Sequence, residues 1–176
     1  MKKRFQKSVI LVILALFVTT FVAFGISAIF LLELLGIGNN IVSNAENIDS
    51  LFAVLLLLIP FLISLAIEYV ICRYFYLLIS TKYLCDSSID ALLKAVSEIV
   101  NFLIVVLIAF CLFVKSSIYS YLELTSLQKL SDDIRIGWLT SSVTVVKLAF
   151  EHMVNVRNIK RNNIIDKKST TKHKRK

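Results

Sequence analysis

IGWLTSSVTVVKLAFEHMVNV, residues 136–156, followed by RNIKRNNIIDKKSTTKHKRK, residues 157–176, decides how many times this chain is expected to cross a bilayer. The first segment mixes apolar residues with Ser, Thr, Lys147, Glu151 and His152, so hydropathy alone leaves it ambiguous. The second holds nine Lys or Arg and one acid, Asp166, and so supplies as much positive charge as the formal +8 of the entire chain. Basic segments flanking membrane helices stay in the cytoplasm, and residues 1–8 carry four positive charges of their own. Both ends on one side require an even number of crossings. Three other runs are plainly apolar, so residues 136–156 are needed as the fourth.

Those three runs define the rest of the layout. Hydrophobic residues make up 57% of the chain and charged ones 18%, outside the usage of soluble domains. The expected architecture is an all-α integral membrane protein, a bundle of four transmembrane helices at about 9–35, 51–79, 96–114 and 136–156, with both termini cytoplasmic. Residues 1–8 form a basic cytoplasmic start, 9–156 the membrane domain and 157–176 a disordered basic tail, too poor in apolar residues to fold alone. The first run exceeds the ~20 residues that span a bilayer and is longer than the apolar region of a secretory signal, so a retained helix is expected. Gly36 and Gly38 mark its stop, before a polar loop that lies outside. Pro60 falls inside the second run and predicts a bend. Residues 80–95 read as an interfacial helix merging into the third span, and 116–133, with Ile118, Tyr121, Leu122, Leu124, Leu127 and Leu130, as a turn or two lying on the surface. Trp138 is expected at the outer interface.

Ionisable residues inside such spans need partners, since each adds about 2.5–3.5 kcal/mol to insertion at mid-bilayer. Glu68, Glu98, Lys147 and Glu151 are the ones to explain. At 100° per residue, Thr140, Ser141, Thr144, Lys147 and Glu151 share one sector of the fourth helix, a polar stripe that should face the other helices. Lys147 lies one turn before Glu151, close enough to pair, and Glu68 is its candidate partner across helices. The stripe reads as a hydrogen-bonding seam or as the lining of an ion path. Ala15, Thr19, Ala23 and Ser27 recur every four residues in the first span and predict a close helix-packing face, within the monomer or between copies.

Familiar chemistry is missing from the pattern. Cys72, Cys85 and Cys111 are odd in number and widely spaced, which predicts packing residues rather than disulfides or a zinc site. His152 and His173 have no ligand-spaced companions, so neither a metal nor any other cofactor is expected. No phosphate-binding glycine loop, HExxH or GxSxG occurs, so no enzyme is expected. The basic tail should meet anionic headgroups or an acidic cytoplasmic protein, and not nucleic acid, because no aromatic residue interleaves its charges.

FGISAIFLLELLGI at 24–37, a polar loop, and DSLFAVLLLLIPFLISLAIE at 49–68 together resemble the YrvL-type small membrane regulatory proteins of Gram-positive bacteria, and DDIRIGWLTSSVTVVKLAFEH at 132–152 is compatible with that family's final span. The resemblance covers about the first forty per cent of the chain. It implies a non-catalytic membrane regulator linked to an alternative sigma factor system; the long basic tail departs from the pattern. A small pore or holin-like protein and a transporter accessory subunit are the competing expectations.

Overall fold

The computed structural model describes residues 2–44, 50–118 and 126–173. They form four helices: α1 (Lys2–Ser43), α2 (Ser50–Lys82), α3 (Ser87–Ile118) and α4 (Ser126–His173), with no strand among the described residues. Helices are the expected answer to this composition, because in hydrocarbon each backbone N–H and C=O must be paired within its own segment. Three of them, over Lys7–Ser43, Leu51–Lys82 and Ser87–Ala109, are long and apolar enough to cross a membrane.

The helices alternate in direction. Val12 of α1, Cys72 and Tyr76 of α2, Ile89 and Leu93 of α3, and Phe150 and Met153 of α4 form one apolar cluster. Leu31 and Leu35, Leu57, and Ile134 and Trp138 form the other. The first therefore joins the start of α1 to the end of α2, and the second joins the end of α1 to the starts of α2 and α4. Basic residues gather beyond the first cluster, from the start of α1, from Lys82 and Lys94, and from α4 after Arg157. We call this the basic end.

The buried stripe of α2 shows how such a bundle is specified. Ala53, Leu57, Pro60, Ser64, Glu68, Cys72, Tyr76 and Ser80 are buried, while Leu51, Leu55, Leu62, Val70 and Leu78 are exposed. Apart from Leu57 and Tyr76, small and polar side chains turn inward and the large aliphatic ones outward, as packing without a hydrophobic driving force between helices favours. On α1 the same logic buries Ala23 and Ser27 and half-buries Ala15 and Thr19, so the four-residue repeat does mark a packing face. α3 is more peripheral: Leu93 is its last buried residue before Ala109.

Several expectations are corrected. Gly36 and Gly38 do not stop α1, which continues to Ser43. Gly38 is buried, and a Cβ built there would lie 3.4 Å from methyls of both Leu56 and Leu57 and 3.7 Å from the Leu56 carbonyl. That carbonyl is the one Pro60 leaves without its intrahelical N–H, so a glycine sits where α2 presents its unpaired group. Gly38→Leu is therefore expected to lower stability by about 1–3 kcal/mol through overpacking. Gly36→Leu, with nothing within 4 Å of its Cβ, should leave the thermal unfolding midpoint in detergent unchanged. Equal behaviour of the two variants would remove this packing role.

The tail expected to be disordered continues α4 as helix to His173. Residues 157–173 contain neither Gly nor Pro, and they extend a helix already nucleated and anchored, so the cost of starting one is not met again. Of residues 80–95, 80–82 end α2 and 87–95 open α3 and run on into the expected third span, after a tight turn in which Tyr83 N donates to Ser80 O and Asp86 N to Tyr83 O. Trp138 is buried in the bundle against Phe24, ring centroids 4.8 Å apart. Of the segment expected on the surface, Ile118 ends α3, Tyr121, Leu122 and Leu124 lie outside the described residues, and Leu127 and Leu130 belong to α4.

Candidate functional site

Two polar constellations interrupt the apolar packing. The first is a column inside the bundle. Ser64, Glu68, Cys72 and Tyr76 follow one another at four-residue intervals on the buried face of α2, and Glu68 has 0% exposure. Ser142 of α4 donates to Glu68 Oε1 at 2.5 Å, and Ser27 of α1 lies 3.5 Å from Oε2. Ser27 has one hydroxyl hydrogen, and Phe24 O at 3.0 Å is the nearer acceptor, so Ser142 makes the bond that fixes the carboxyl. One carboxyl thus touches three helices. Two turns on, toward the basic end, the Tyr76 and Thr20 hydroxyls are hydrogen-bonded. Thr20 already donates to Leu16 O at 2.8 Å, which makes Tyr76 the donor in that pair.

The second constellation lies at the basic end, where α4 leaves the bundle. Arg157 is 2% exposed, and its Nη2 donates to the carbonyls of Tyr83 at 3.0 Å and Asp86 at 2.8 Å, both in the α2–α3 connection. Its Nη1 meets Asp90 Oδ1 at 2.5 Å, and Arg161 pairs with the other carboxylate oxygen. The planar guanidinium suits this task, since its fork serves several acceptors from one rigid group. Asp90 sits in the first turn of α3, so this knot ties α4 both to α3 and to the α2–α3 connection.

Several residues marked in the sequence fall elsewhere. Lys147 and Glu151 do pair, at 3.6 Å, but with side chains 31% and 48% exposed. Thr144 is exposed and Thr140 and Ser141 are half-buried, so the polar stripe lies at the edge of the bundle and does not point squarely at the other helices. The inward position is Ser142, one residue from Ser141, on the stripe Ser131, Ile134, Trp138, Ser142, Ala149, Met153 and Arg157. Glu68 finds serines instead of Lys147. Cys72 is buried and Cys85 exposed, and among the described residues no three His, Cys, Asp or Glu side chains converge as a metal site.

No known protein family, curated protein or solved structure matches this chain. The likeness to YrvL-type regulators therefore stands on the quoted sequence stretches alone. Sequence reasoning missed the role of Arg157, which it placed in a loose tail, and the knot around it. A signal was available: Arg157 continues the four-residue spacing of Ala149 and Met153, and Asp90 is an acid opening a helix whose neighbours are basic.

Proposed function

We propose that the chain is a non-enzymatic membrane-embedded regulatory or interaction protein of the cell membrane, crossing the bilayer four times with both termini cytoplasmic, and that it couples helix packing in the membrane to the display of a basic helix in the cytoplasm. The observation that carries this reading is Arg157. A buried charge fastens α4 to the α2–α3 turn and to Asp90 at the point where the basic extension to His173 begins. A change in bundle packing that shifts α3 against α4 must strain this knot and with it the direction of the extension.

The alternating helices and the gathering of basic residues at one end support four crossings with that end inside. The extension is suited to anionic headgroups or to an acidic face of a cytoplasmic protein. Following the resemblance, the downstream target is an alternative sigma factor system. A pore or holin-like role fits less well, because Ser27, Ser64 and Glu68 are fully buried within one copy.

Deletion of the gene is expected to change transcription of genes under the alternative sigma factor, and neutralising Lys160, Arg161, Lys167 and Lys168 together should reproduce that change. Reporter fusions at Lys2 and Lys176 should locate both on one side. Unchanged transcription together with membrane depolarisation on overexpression would select the pore.

A further inference from the structure

We propose that the outward face of α3 pairs with the same face of a second copy of this chain, Asn101 meeting its own counterpart in mid-membrane and Lys94 of each copy meeting Glu98 of the other. The proposal is independent of the regulatory reading. It needs only that α3 lie in hydrocarbon, for which it is long and apolar enough over Ser87–Ala109.

α3 meets the bundle along one face, where Ile89 and Leu93 are buried and Val96, Val100, Ile104 and Leu107 half-buried. At 100° per residue, Lys94, Glu98, Asn101 and Val105 fall within a sector of about 60° turned away from that contact, and all four are exposed. Asn101 lies near the midpoint of α3, which runs from Ser87 to Ile118. Its neighbours Val100 and Leu103 line the same cavity as Glu68 and Ser142, so this turn stands level with the middle of the bundle.

At that depth Ser27, Ser64, Glu68 and Ser142 are all hydrogen-bonded within the bundle. Lys94, Glu98 and Asn101 have no hydrogen bond or ion pair among the described residues. Lys94 and Glu98 stand one turn apart, as Lys147 and Glu151 do, yet only the second pair closes. A hydroxyl facing lipid can return its hydrogen to its own helix, but a carboxyl and a carboxamide cannot be satisfied that way, and intramembrane ionisable groups are found paired or turned from lipid. A face that carries both toward the outside of the bundle is therefore a face that another helix covers.

The chemistry of the stripe selects a second copy as that helix. Two copies inserted the same way round are related by an axis along the bilayer normal, so α3 and its counterpart run parallel and each contact occurs twice. An amide carries donors and an acceptor, so Asn101 complements itself. One cation and one anion sit about 6 Å apart along the helix, within reach of a lysine stem, so the charges also complement their own copy. The exposed positions Ala91, Lys94, Glu98, Asn101, Val105 and Ile108 follow one another at spacings of three and four, the repeat of a parallel helix pair, in which a single buried Asn fixes register and partner number.

The test is energy transfer between full-length copies carrying donor or acceptor dyes at the N-terminus, diluted stepwise in phosphatidylcholine vesicles. The wild type is expected to associate as a dimer, and Asn101→Leu to weaken association about tenfold, with the thermal midpoint of the bundle unchanged because Asn101 makes no contact of its own within it. Lys94→Glu and Glu98→Lys should each weaken self-association, since like charges then meet. Mixed with each other, the two variants restore both opposite-charge contacts and should pair better than either does alone. Energy transfer no greater than random collision for the wild type, unchanged association of Asn101→Leu, or a mixture that pairs no better than its components would each overturn the proposal. The measurement uses isolated protein, so its failure leaves the transcriptional reading standing, and unchanged transcription after deletion would leave the dimer standing.

Discussion

Arg157→Ala is expected to destabilise the bundle by about 3 kcal/mol, at the lower end of the range for breaking a buried ion pair because one partner reaches solvent. Asp90 is 34% exposed on its side chain and keeps Arg161, whereas the Tyr83 and Asp86 carbonyls lose the donor that now serves them. The loss should concentrate where the knot acts. Hydrogen exchange is expected to quicken in the α2–α3 turn and in α4 beyond residue 157, with the Leu31, Leu35 and Trp138 cluster at the other end less affected. Arg157→Lys should rescue only part of the stability, since an ammonium lacks the fork that serves two carbonyls and a carboxylate together. The charge-swapped pair Asp90→Arg with Arg157→Asp supplies the sharper test. A simple ion pair would tolerate the exchange, but here a carboxylate would confront two carbonyl oxygens, so the swap is expected to remain as unstable as Arg157→Ala. Recovery of the wild-type midpoint would reduce the knot to an exchangeable ion pair.

The residues that gave the architecture and those that hid the site differ for one physical reason. Long apolar runs announce helices because hydrocarbon allows few other backbone solutions, and 51–79 was readable on that basis to within a few residues of Ser50–Lys82. Gly36 and Gly38 were misread because glycine stops helices in water, where the exposed backbone finds solvent, but within an apolar segment it permits close approach, as Gly38 does against Leu56 and Leu57. The inward face of α4 was missed by a related route. A search for polar residues within one sector gathers Thr140, Thr144, Lys147 and Glu151, yet long charged side chains serve well at the periphery, where Lys147 and Glu151 pair half-exposed. The buried positions are recognised by spacing together with small size, and Pro60, Ser64, Glu68, Cys72, Tyr76 and Ser80 on α2 show that spacing at every fourth residue. The order of the tail was harder to read, because the partner that holds its start, Asp90, lies sixty-seven residues before Arg157.

Glu68→Lys is expected to be the most damaging single change within the bundle. It places an ammonium, which can only donate, where Ser27 and Ser142 converge in a fully buried position, so Ser142 loses its acceptor and a cation is buried without a counter-charge, at a cost above the ~1–3 kcal/mol of a neutral buried group left without its partner. Glu68→Gln should stay within about 1 kcal/mol of the wild type, since its amide oxygen can still accept from Ser142 and its NH2 can donate to the Ser27 oxygen. Thermal unfolding in detergent separates the two. The informative variant is a third one, Glu68→Leu combined with Ser27→Ala and Ser142→Ala, which removes every polar atom of the node and leaves none unpaired. Replacing a complete buried polar group with apolar side chains is often neutral or stabilising, so this triple variant is expected to fold at least as well as Glu68→Gln. If it folds and also regulates normally, Glu68 only fixes how α1, α2 and α4 meet. If it folds but no longer changes transcription, the carboxyl belongs to the signalling mechanism, and the three-helix contact at Glu68 becomes the place where a change in the membrane is registered. A triple variant less stable than Glu68→Lys would contradict both readings, because it would mean that the node stabilises the fold by far more than interhelical hydrogen bonds of about 0.6–2 kcal/mol can account for.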